Sequence, residues 1–419
     1  MRPRKPSITI PNHVEVDNPH TLTLSNGVRV HLLENHEYRV IRLSLIFGAG
    51  SSRQEVPFSA TTTANLLSEG SRSHTARQIA ERLDFYGSYF DISTDRDVTV
   101  ISFCALSKFF LPTLKVAEEI LLQPAFPTDE FDSYRIKRRQ QLAVERTKVD
   151  VQAREAFARA MFGEKHPYGI SSPESAYDTL SRDDVERFYR RFYTAGNCFA
   201  VCSGDIGPNE LDAITELCNR LPMTGDTPAP VFPAPQQTPC IHLPHDGAVQ
   251  SAIRIGRLLF PRNHPDYVGM QVVASILGGY FGSRLMNTLR EENGLTYGVF
   301  AGMVTLEQAG YMAIVTQVAR EARDEALRQI YTEIERLRNE PVGEQELTLV
   351  KNMMVGEIMR ILDGPFGIVD VTIENIQCGF DNSAIGHTVN AIRECTPDDI
   401  LRLSDKYLRA GDLVEVTVG

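Results

Sequence analysis

Arg290 and Tyr297 are the residues of this chain whose types and spacing best suit chemistry at a carbonyl group. If both face one cleft, the fixed cation can hold a carbonyl oxygen, and the phenol can donate a hydrogen bond to the oxyanion that this oxygen becomes. The pair also has a purely structural interpretation, in which Arg290 stabilises a helix C-terminus and Tyr297 is a half-buried strand residue. Taken alone, this stretch favours the structural interpretation.

The elements that position the pair are predicted within residues 277–298. Three glycines, at positions 278, 279 and 282, allow a tight turn that another chain or a ligand can approach closely. Ser283 is then predicted to cap a helix. The apolar face of this helix contains Leu285, Met286 and Leu289. The helix should end at Gly294 with Arg290 in its last turn, and a strand should begin near Leu295.

Length and composition are those of a soluble globular protein with more than one domain. The chain of 419 residues is too long for one core, and its net charge of −11 argues against nucleic acid, whose phosphates need clustered Lys and Arg. No apolar run is long enough to cross a membrane, and the N-terminal residues lack the apolar core of a signal peptide. The seven cysteines include no Cys-x-x-Cys pair and are predicted to be reduced. We therefore expect a cytoplasmic protein, or a periplasmic one if a leader was removed, with neither nucleic acid nor membrane as a partner.

The predicted elements occur twice in the same order. The first half contains predicted strands at 21–24, 28–33, 41–47, 87–94 and 97–105 and helices at 58–68, 75–85, 111–122 and 127–144. The second half contains predicted strands at 251–257, 295–304 and 310–316, helices at 267–277 and 325–338, and a long helix that ends near 361. Between the halves, residues 221–240 contain six prolines and are predicted to form a stiff, extended connector.

This order predicts an α+β fold of two similar lobes from an internal duplication, each a mixed, mainly antiparallel sheet packed with helices. Residues 1–220 form the N-terminal lobe, 221–240 the Pro-rich linker and 241–419 the C-terminal lobe. The linker is expected to join the lobes into a clamshell. A cleft between two lobes is a common place for a site.

Metal ligation by this chain is not predicted. None of the ten histidines has a second His or Cys placed with a carboxylate on one helix face. His242 and His245 come closest, but Pro244 lies between them. The sequence also contains no Gly-x-Ser-x-Gly elbow, phosphate loop or dinucleotide fingerprint. A catalytic role would therefore need groups supplied by another molecule.

Four motifs at separate places carry a family resemblance. They are Gly-Ala-Gly-Ser-Ser-Arg at 48–53, Phe-Gly-Glu-Lys-His-Pro-Tyr-Gly at 162–169, Gly-Gly-Tyr-Phe-Gly-Ser-Arg-Leu at 278–285 and Leu-Arg-Glu-Glu-Asn-Gly-Leu-Thr-Tyr-Gly at 289–298. Together with the duplicated lobes and the linker, they resemble the pitrilysin/insulinase family of zinc peptidases, the inverzincins, in its short two-lobe branch. The resemblance covers nearly the whole chain.

The zinc motif of that family is absent. The motif is His-x-x-Glu-His on the first helix, with two imidazole ligands and the glutamate as general base. Alignment of Glu-Gly-Ser at 69–71 with the Lys-Gly-Thr that follows the family's motif places Thr61 and Asn65 at the histidine positions and Ala64 at the base position. The resemblance therefore implies that the N-terminal lobe is a degenerate zinc-peptidase lobe.

The third zinc ligand of the family, a glutamate on the long helix, is also replaced. Counting back from His166 places Leu142 at that position, with Glu145 one helical turn away. A single carboxylate does not hold zinc. No cofactor is expected in this chain.

The Arg/Tyr pair, in contrast, is retained. In this family, an arginine and a tyrosine so placed in the second lobe reach a zinc site in the first, and in two-subunit members they lie on the subunit that lacks the metal. The resemblance therefore implies that Arg290 and Tyr297 bind substrate and act in catalysis, Arg290 by orienting the carbonyl and Tyr297 by donating to the oxyanion. Residues 87–94 are similar to the family's strand that receives a peptide as an added strand, with Asp91 where an asparagine is usual.

These implications give one preferred function and two alternatives. The preferred one is the non-catalytic subunit of a heterodimeric zinc metalloendopeptidase, whose homologous partner supplies the zinc and whose substrates are peptides or unfolded polypeptides. One alternative is a structural scaffold subunit related to the core proteins of a respiratory complex. A weaker one is a self-paired peptide-binding shell without hydrolysis. Retention of Arg290 and Tyr297 favours the first, since a scaffold does not need them.

Overall fold

The computed structural model describes residues 13–223 and 230–419, which divide into two compact units. The N-terminal unit is Pro19–Gln237, and the C-terminal unit combines residues 13–18 with Thr238–Gly419. Each unit contains a mixed sheet packed with helices, which confirms the predicted α+β class. Nowhere in the described ranges does a helix have the length and apolar character needed to cross a membrane.

The sheet of the N-terminal unit has the strand order β1-β2-β6-β3-β5-β4. The strands are β1 (His20–Thr23), β2 (Arg29–Glu34), β3 (Val40–Phe47), β4 (Tyr89–Thr94), β5 (Thr99–Leu106) and β6 (Cys198–Gly204). The central strand β3 is covered on both faces, so its sequence is apolar almost throughout. Its one buried hydroxyl, on Ser44, lies 2.9 Å from the Ser102 hydroxyl on β5, which satisfies both groups without water.

Helices cover this sheet and complete the apolar core of the N-terminal unit. They are α1 (Ser59–Leu66), α2 (Ala76–Phe85), α3 (Ser107–Leu122), α4 (Thr128–Glu145), α5 (Val149–Phe162), α6 (Ala176–Thr179), α7 (Arg182–Phe192) and α8 (Pro208–Asn219). Helix α2 begins with a capping box, because Thr75 accepts from the Gln78 backbone and Gln78 accepts from the Thr75 backbone.

The sheet of the C-terminal unit has the order β7-β11-β8-β10-β9. The strands are β7 (Cys240–Leu243), β8 (Gln250–Leu259), β9 (Thr296–Thr305), β10 (Gly310–Ala319) and β11 (Val414–Val418). The helices are α9 (Tyr267–Ala274), α10 (Arg323–Asn339), α11 (Glu344–Ile361), α12 (Pro365–Gln377), α13 (Ser383–Glu394) and α14 (Pro397–Tyr407). Two π-helices, Ser275–Gly279 and Met286–Glu292, flank the glycine-rich turn.

The two sheets have the same pairing pattern. In each, one parallel pair (β2 with β6, β7 with β11) is followed by three antiparallel pairs that end in an edge strand. The edge strand is β4 in the N-terminal unit and β9 in the C-terminal unit. This repetition agrees with the internal duplication predicted from the order of elements, and β1 is the strand present in the first sheet alone.

Residues 13–18 pack on the C-terminal unit, although they precede the N-terminal sheet in sequence. Val14 is buried in the apolar core of that unit. Asn18 Oδ1 accepts a hydrogen bond from the Asn382 backbone at 2.8 Å, and Asn382 Nδ2 donates to the Asp17 carbonyl at 3.0 Å. The sequence places these residues in the N-terminal lobe, because nothing in their own pattern identifies a partner so distant in the chain.

Residues 230–237 of the linker pack on the N-terminal unit, whereas 238–240 belong to the C-terminal unit. The Phe232 ring packs edge-on against His166 and Tyr168, with centroids 5.5 and 5.1 Å away, and the Gln236 backbone donates to the Phe162 carbonyl at 3.0 Å. Residues 230–238 form neither helix nor strand, and the contacts of Phe232 and Gln236 show that the segment is packed. Pro228, one of the six prolines, lies outside the described residues.

Replacement of Phe232 by alanine is expected to lower the free energy of unfolding of the N-terminal unit by about 1–2 kcal/mol. The ring is half-buried, so the loss should be smaller than the ~3–5 kcal/mol typical of a fully buried phenylalanine. Urea denaturation followed by circular dichroism measures the change. Val231→Ala is the matched control, since Val231 is 96% exposed. Equal stability of the two variants would mean that the linker contact contributes nothing.

His31 is a buried histidine on β2 with one hydrogen-bond partner, the Thr21 hydroxyl, 2.8 Å from its Nδ1. Its Nε2 is buried and has no partner within the described residues. Burial, and to a smaller extent Arg29, lower the pKa of His31 from about 6.5 to about 4. His31 is therefore neutral in the folded protein at neutral pH.

Stability should therefore fall as the pH is lowered from about 6.5 towards 4. In this range, the unfolded chain binds the His31 proton before the folded protein does, so each step down in pH favours unfolding. The shift predicts a loss of about 2 kcal/mol between about pH 7.5 and pH 5. Comparison of unfolding at these pH values in wild type and His31→Gln isolates this contribution, with the exposed His13→Gln as control. The same pH dependence in wild type and His31→Gln would contradict the assignment.

Candidate functional site

Arg290 lies in the last turn of the π-helix Met286–Glu292, which agrees with its predicted position at a helix end. Gly294 has a φ of +60° beyond the helix, and its backbone N–H donates to the Arg290 carbonyl at 3.1 Å. The Leu295 N–H donates to the Leu289 carbonyl at 2.8 Å. These hydrogen bonds end the helix at the position that the glycine predicts. The chain then continues directly into β9.

The start of this helix differs from the prediction. Ser283 is buried, and its hydroxyl has no hydrogen-bond partner in the described part of the chain, so it does not cap the helix. Asn287 bonds the Ser283 backbone carbonyl instead, at 2.9 Å. The turn before it is tight because Gly278 lies against the backbone of β9, where an added Cβ would come within 2.7 Å of the Ala301 nitrogen. The close approach expected of a ligand or another chain is thus made by the protein's own strand.

The Arg290 guanidinium lies over an exposed aromatic ring. Its Cζ is 4.7 Å from the centroid of Phe281, and its Nε is 3.7 Å from the nearer carboxylate oxygen of Glu291. The Arg290 side chain is 37% exposed and Phe281 is 64% exposed. A cation held by a ring face and by one distant carboxylate still has donors available for a carbonyl or carboxylate group.

Tyr297 projects from the edge strand β9 and is 93% exposed. The pairing of β9 with β10 is irregular at this point, between Thr316 and Val318. Two threonine hydroxyls satisfy the local backbone, since Thr296 donates to the Gln317 carbonyl at 2.7 Å and Thr316 to the Gly298 carbonyl at 2.9 Å. The irregularity is thus stabilised without the Tyr297 side chain, which makes its phenol available to another molecule.

Arg290 and Tyr297 therefore lie on two elements that pack together, the second π-helix and the start of β9. A π-helix is uncommon in proteins and is often found at functional sites. A permanent cation and an exposed phenol on such elements can together stabilise negative charge on a carbonyl oxygen. The half-buried position proposed for Tyr297 in the structural interpretation is wrong. The role of the pair in catalysis stays a prediction.

Helix α1 occupies the position of the helix that carries His-x-x-Glu-His in the family. Ala64 is buried at the position of the general base. The side chains of the other two positions serve the helix itself, since Thr61 Oγ1 donates to the Phe58 carbonyl at 3.3 Å and Asn65 Nδ2 to the Thr61 carbonyl at 2.7 Å. None of the three presents an imidazole or a carboxylate.

Helix α4 supplies the position of the third ligand and packs against α1. Leu142 contributes to the apolar core. Arg138, one turn earlier on α4, lies 3.9 Å from Glu145. Burial opposes the charge of Arg138, but Tyr177, Tyr134 and Glu145 more than compensate and raise its pKa. The Arg138 guanidinium, one turn from Leu142, does not suit a site for a divalent cation, because like charges repel.

The histidines near these helices and the earlier His242 and His245 candidates have other neighbours. His74 Nδ1 lies 2.7 Å from the Glu119 carboxylate, which Arg82 also bonds. His242 Nδ1 lies 2.8 Å from the Thr417 hydroxyl. In residues 13–223 and 230–419, no group of three or more His, Cys, Asp and Glu side chains could hold a metal ion.

Residues 87–94 contain β4, the edge strand of the N-terminal sheet. An edge strand presents backbone groups to which an extended peptide can add as a further strand. The side chains of Tyr89 and Asp91 are both exposed on β4. The carboxylate of Asp91 therefore faces solvent where the family's asparagine amide would offer a donor as well as an acceptor.

Comparison with known proteins agrees with this description. Residues 179–354 match the family model described as the peptidase M16 inactive domain. The chain is related to the M16 peptidases. M16 is the family of pitrilysin and insulinase, so the resemblance stated from the sequence motifs is confirmed.

Proteins similar to this chain include some that are named zinc proteases and a component of complex III. The uncharacterized zinc protease YmxG of Bacillus subtilis is 21% identical over 81% of this chain and 84% of its own length. A crystal structure described as a peptidase M16 inactive domain, from Pseudomonas fluorescens, is 25% identical with a TM-score of 0.89, over 96% of this chain and 98% of that one. A chain of complex III from Candida albicans has a TM-score of 0.77 at 17% identity, over 96% of this chain and 95% of that one, which shows the fold alone.

These similarities, together with the replaced zinc positions, support a non-catalytic member of the M16 family. Sequence reasoning proposed Arg290 and Tyr297 as site residues and named the degenerate positions. It did not identify Phe281 as the ring beneath Arg290, or Arg138 of α4 as a neighbour of Tyr177 on α6. The aromatic residue in the glycine-rich turn was the available signal for Phe281, whereas the position of Arg138 depends on how two helices pack.

Proposed function

We propose that this chain is the non-catalytic subunit of a heterodimeric zinc metalloendopeptidase. It contributes Arg290 and Tyr297 to peptide binding and to transition-state stabilisation at the zinc site of a homologous partner. The observation that carries the proposal is the 93% exposure of Tyr297, beside a helix-end arginine, in a chain whose own zinc positions are Thr61, Ala64, Asn65 and Leu142. An exposed phenol that makes no hydrogen bond within the described residues suits a site that another molecule completes.

The roles of the two side chains follow from their chemistry. The zinc of the partner supplies an activated water and polarises the peptide carbonyl. Arg290 orients that carbonyl, because its planar guanidinium always stays charged and offers several N–H donors. Tyr297 donates a hydrogen bond to the carbonyl oxygen as negative charge develops on it. Peptide or unfolded polypeptide is the substrate class, because an edge strand such as β4 accepts extended backbone.

A scaffold function is the competing proposal. It is favoured by the similarity to a chain of complex III, which concerns the fold alone. A scaffold contributes nothing to turnover, so activity of a complex with and without Arg290 and Tyr297 separates the two proposals.

The test is reconstitution with a homologous chain that carries His-x-x-Glu-His. We expect neither chain alone to cleave a quenched fluorescent peptide at more than about 1% of the rate of the mixture, and we expect a chelator to abolish the activity of the mixture. Metal analysis of this chain alone should find no stoichiometric zinc. The control is the same partner with its motif glutamate changed to glutamine, which should assemble without cleaving.

Two results would contradict the proposal. One is about one zinc per molecule of this chain together with chelator-sensitive cleavage by the isolated chain. The other is a partner whose cleavage rate does not change when this chain is added, although the two co-purify. The second result would favour the scaffold function.

A further inference from the structure

A cavity of about 350 Å³ lies within the C-terminal unit, between the first π-helix and helices α9, α11, α12 and α13. Its volume is in the range of small-molecule sites, which begin at roughly 300 Å³. Eight apolar side chains form most of its wall, Ile361 and Leu362 and six others. The six others are Met353, Met354, Ile358, Val371, Ile385 and Ile392. The cavity belongs to neither the Arg290 and Tyr297 pair nor the degenerate zinc positions.

The apolar wall suits a flexible chain better than a rigid ring system. Met353 and Met354 lie side by side on α11, and methionine side chains adapt to ligands of different shape because they are unbranched and polarisable. Ile385 and Ile392 are buried, so they form a fixed base opposite these methionines. Transfer of an apolar tail from water into such a cavity is favourable in proportion to the area that it buries.

Among the described lining residues, Arg262 is the one cation, and its Cζ lies 5.7 Å from the centroid of the Phe380 ring. The Arg262 side chain is 14% exposed, and its Nη1 is buried without a hydrogen bond to any described residue. Glu374 Oε1 lies 3.2 Å from Nη1 as an ion pair, but its angle is unsuitable for a hydrogen bond, and the Glu374 side chain is 57% exposed. Glu374 can therefore turn to water, whereas Arg262 cannot. A ligand carboxylate can take its place with two parallel bonds.

The other polar groups of the lining do not oppose an anion at this end. Gln271, Ser275 and Thr388 are neutral and can donate hydrogen bonds. Glu357 also lines the cavity, but Arg360 bonds its carboxylate and balances its charge. The arrangement thus has an apolar body, one buried guanidinium, neutral donors and two carboxylates that are each paired with an arginine.

We propose that this cavity binds a small apolar monocarboxylate of the medium-chain fatty-acid type. The tail lies among the methionine and isoleucine side chains, and the carboxylate replaces that of Glu374 on Arg262. The ligand also contacts Ser275 and Gly279 of the first π-helix. The proposal does not depend on a partner subunit or on peptidase activity.

Calorimetric titration of the full-length chain with decanoate tests the proposal. We expect one saturable site with a Kd below about 1 mM, and about tenfold weaker binding of decanol, which has the same tail without the charge. Arg262→Gln should weaken decanoate binding about tenfold and leave decanol binding unchanged. Arg409→Gln, at an exposed arginine of the same unit, is the matched control and should change neither.

A second variant tests the position of the tail. Thr388 is partly exposed on α13, so Thr388→Phe can fill the cavity from its rim without overpacking the core, and it should abolish binding of both decanoate and decanol. Its thermal unfolding, compared with wild type, reports whether it is folded. Absence of saturable decanoate binding by wild type, equal binding of decanol and decanoate, or decanoate binding unaffected by both Arg262→Gln and a folded Thr388→Phe would overturn the proposal.

Discussion

Tyr297→Phe is expected to lower kcat of the reconstituted complex by about 100-fold and to leave KM nearly unchanged. The lost hydrogen bond is made to an oxyanion that exists in the transition state and not in bound substrate, so its removal raises the barrier without weakening binding. A loss of about 100-fold corresponds to about 2.7 kcal/mol, the usual effect of one oxyanion donor. Steady-state kinetics on one peptide measure both constants.

The structure offers controls for this substitution. Tyr297 is 93% exposed and makes no hydrogen bond within the described residues, so loss of its hydroxyl should not change folding. Tyr311→Phe removes a hydroxyl from the neighbouring strand β10 and should leave kcat unchanged. Assembly of each variant with the partner is measured by gel filtration. A normal kcat in a Tyr297→Phe complex that assembles would remove the phenol from the mechanism.

The fold was largely predictable, because both lobes follow strong local signals. The strands predicted at 28–33 and 41–47 and the helix predicted at 75–85 each match an element of the structure, β2, β3 and α2. The order of these signals then predicted the duplication, which agrees with the matching pairing patterns of the two sheets.

Contacts between distant segments were not predictable. Residues 13–18 were assigned to the N-terminal lobe, but Val14 and Asn18 pack on the C-terminal unit through a core position and a buried asparagine. Phe232 lies in a Pro-rich segment, and its ring packs edge-on against His166 and Tyr168 of the 162–169 motif. The prolines of this connector predict an extended chain, because each proline fixes its own φ angle. They do not predict which surface of the protein the connector packs against.

In the candidate site, too, some features were predicted from the sequence and others were not. Gly294 predicted where the helix of Arg290 ends, because its positive φ is easily adopted by glycine. Ser283 was expected to cap that helix, yet its hydroxyl is buried. The chain before and after it forms π-helices, which no pattern in the sequence predicted. The residue types thus nominated the pair, whose role stays a prediction, whereas they did not predict the backbone conformation that holds it.

Arg290→Ala is expected to reduce kcat/KM of the complex by about 100- to 1,000-fold, with part of the effect in KM. Its guanidinium can bond the substrate carbonyl before reaction as well as the oxyanion, so both ground state and transition state lose a partner. Arg290→Lys keeps the charge but loses the planar contact with Phe281, 4.7 Å from the guanidinium carbon, and should recover only part of the activity.

The split between KM and kcat separates this role from a structural one. If Arg290 merely stabilised the end of its helix, alanine would lower thermal stability and leave the kinetics of the assembled complex unchanged, and lysine would restore stability fully. Arg409→Ala, at an exposed arginine of the same unit, is the matched control. The Tyr297→Phe, Arg290→Ala double variant is decisive. Wild-type turnover in that assembled double variant would leave the scaffold function as the better account of this chain, since neither group would then touch the reaction.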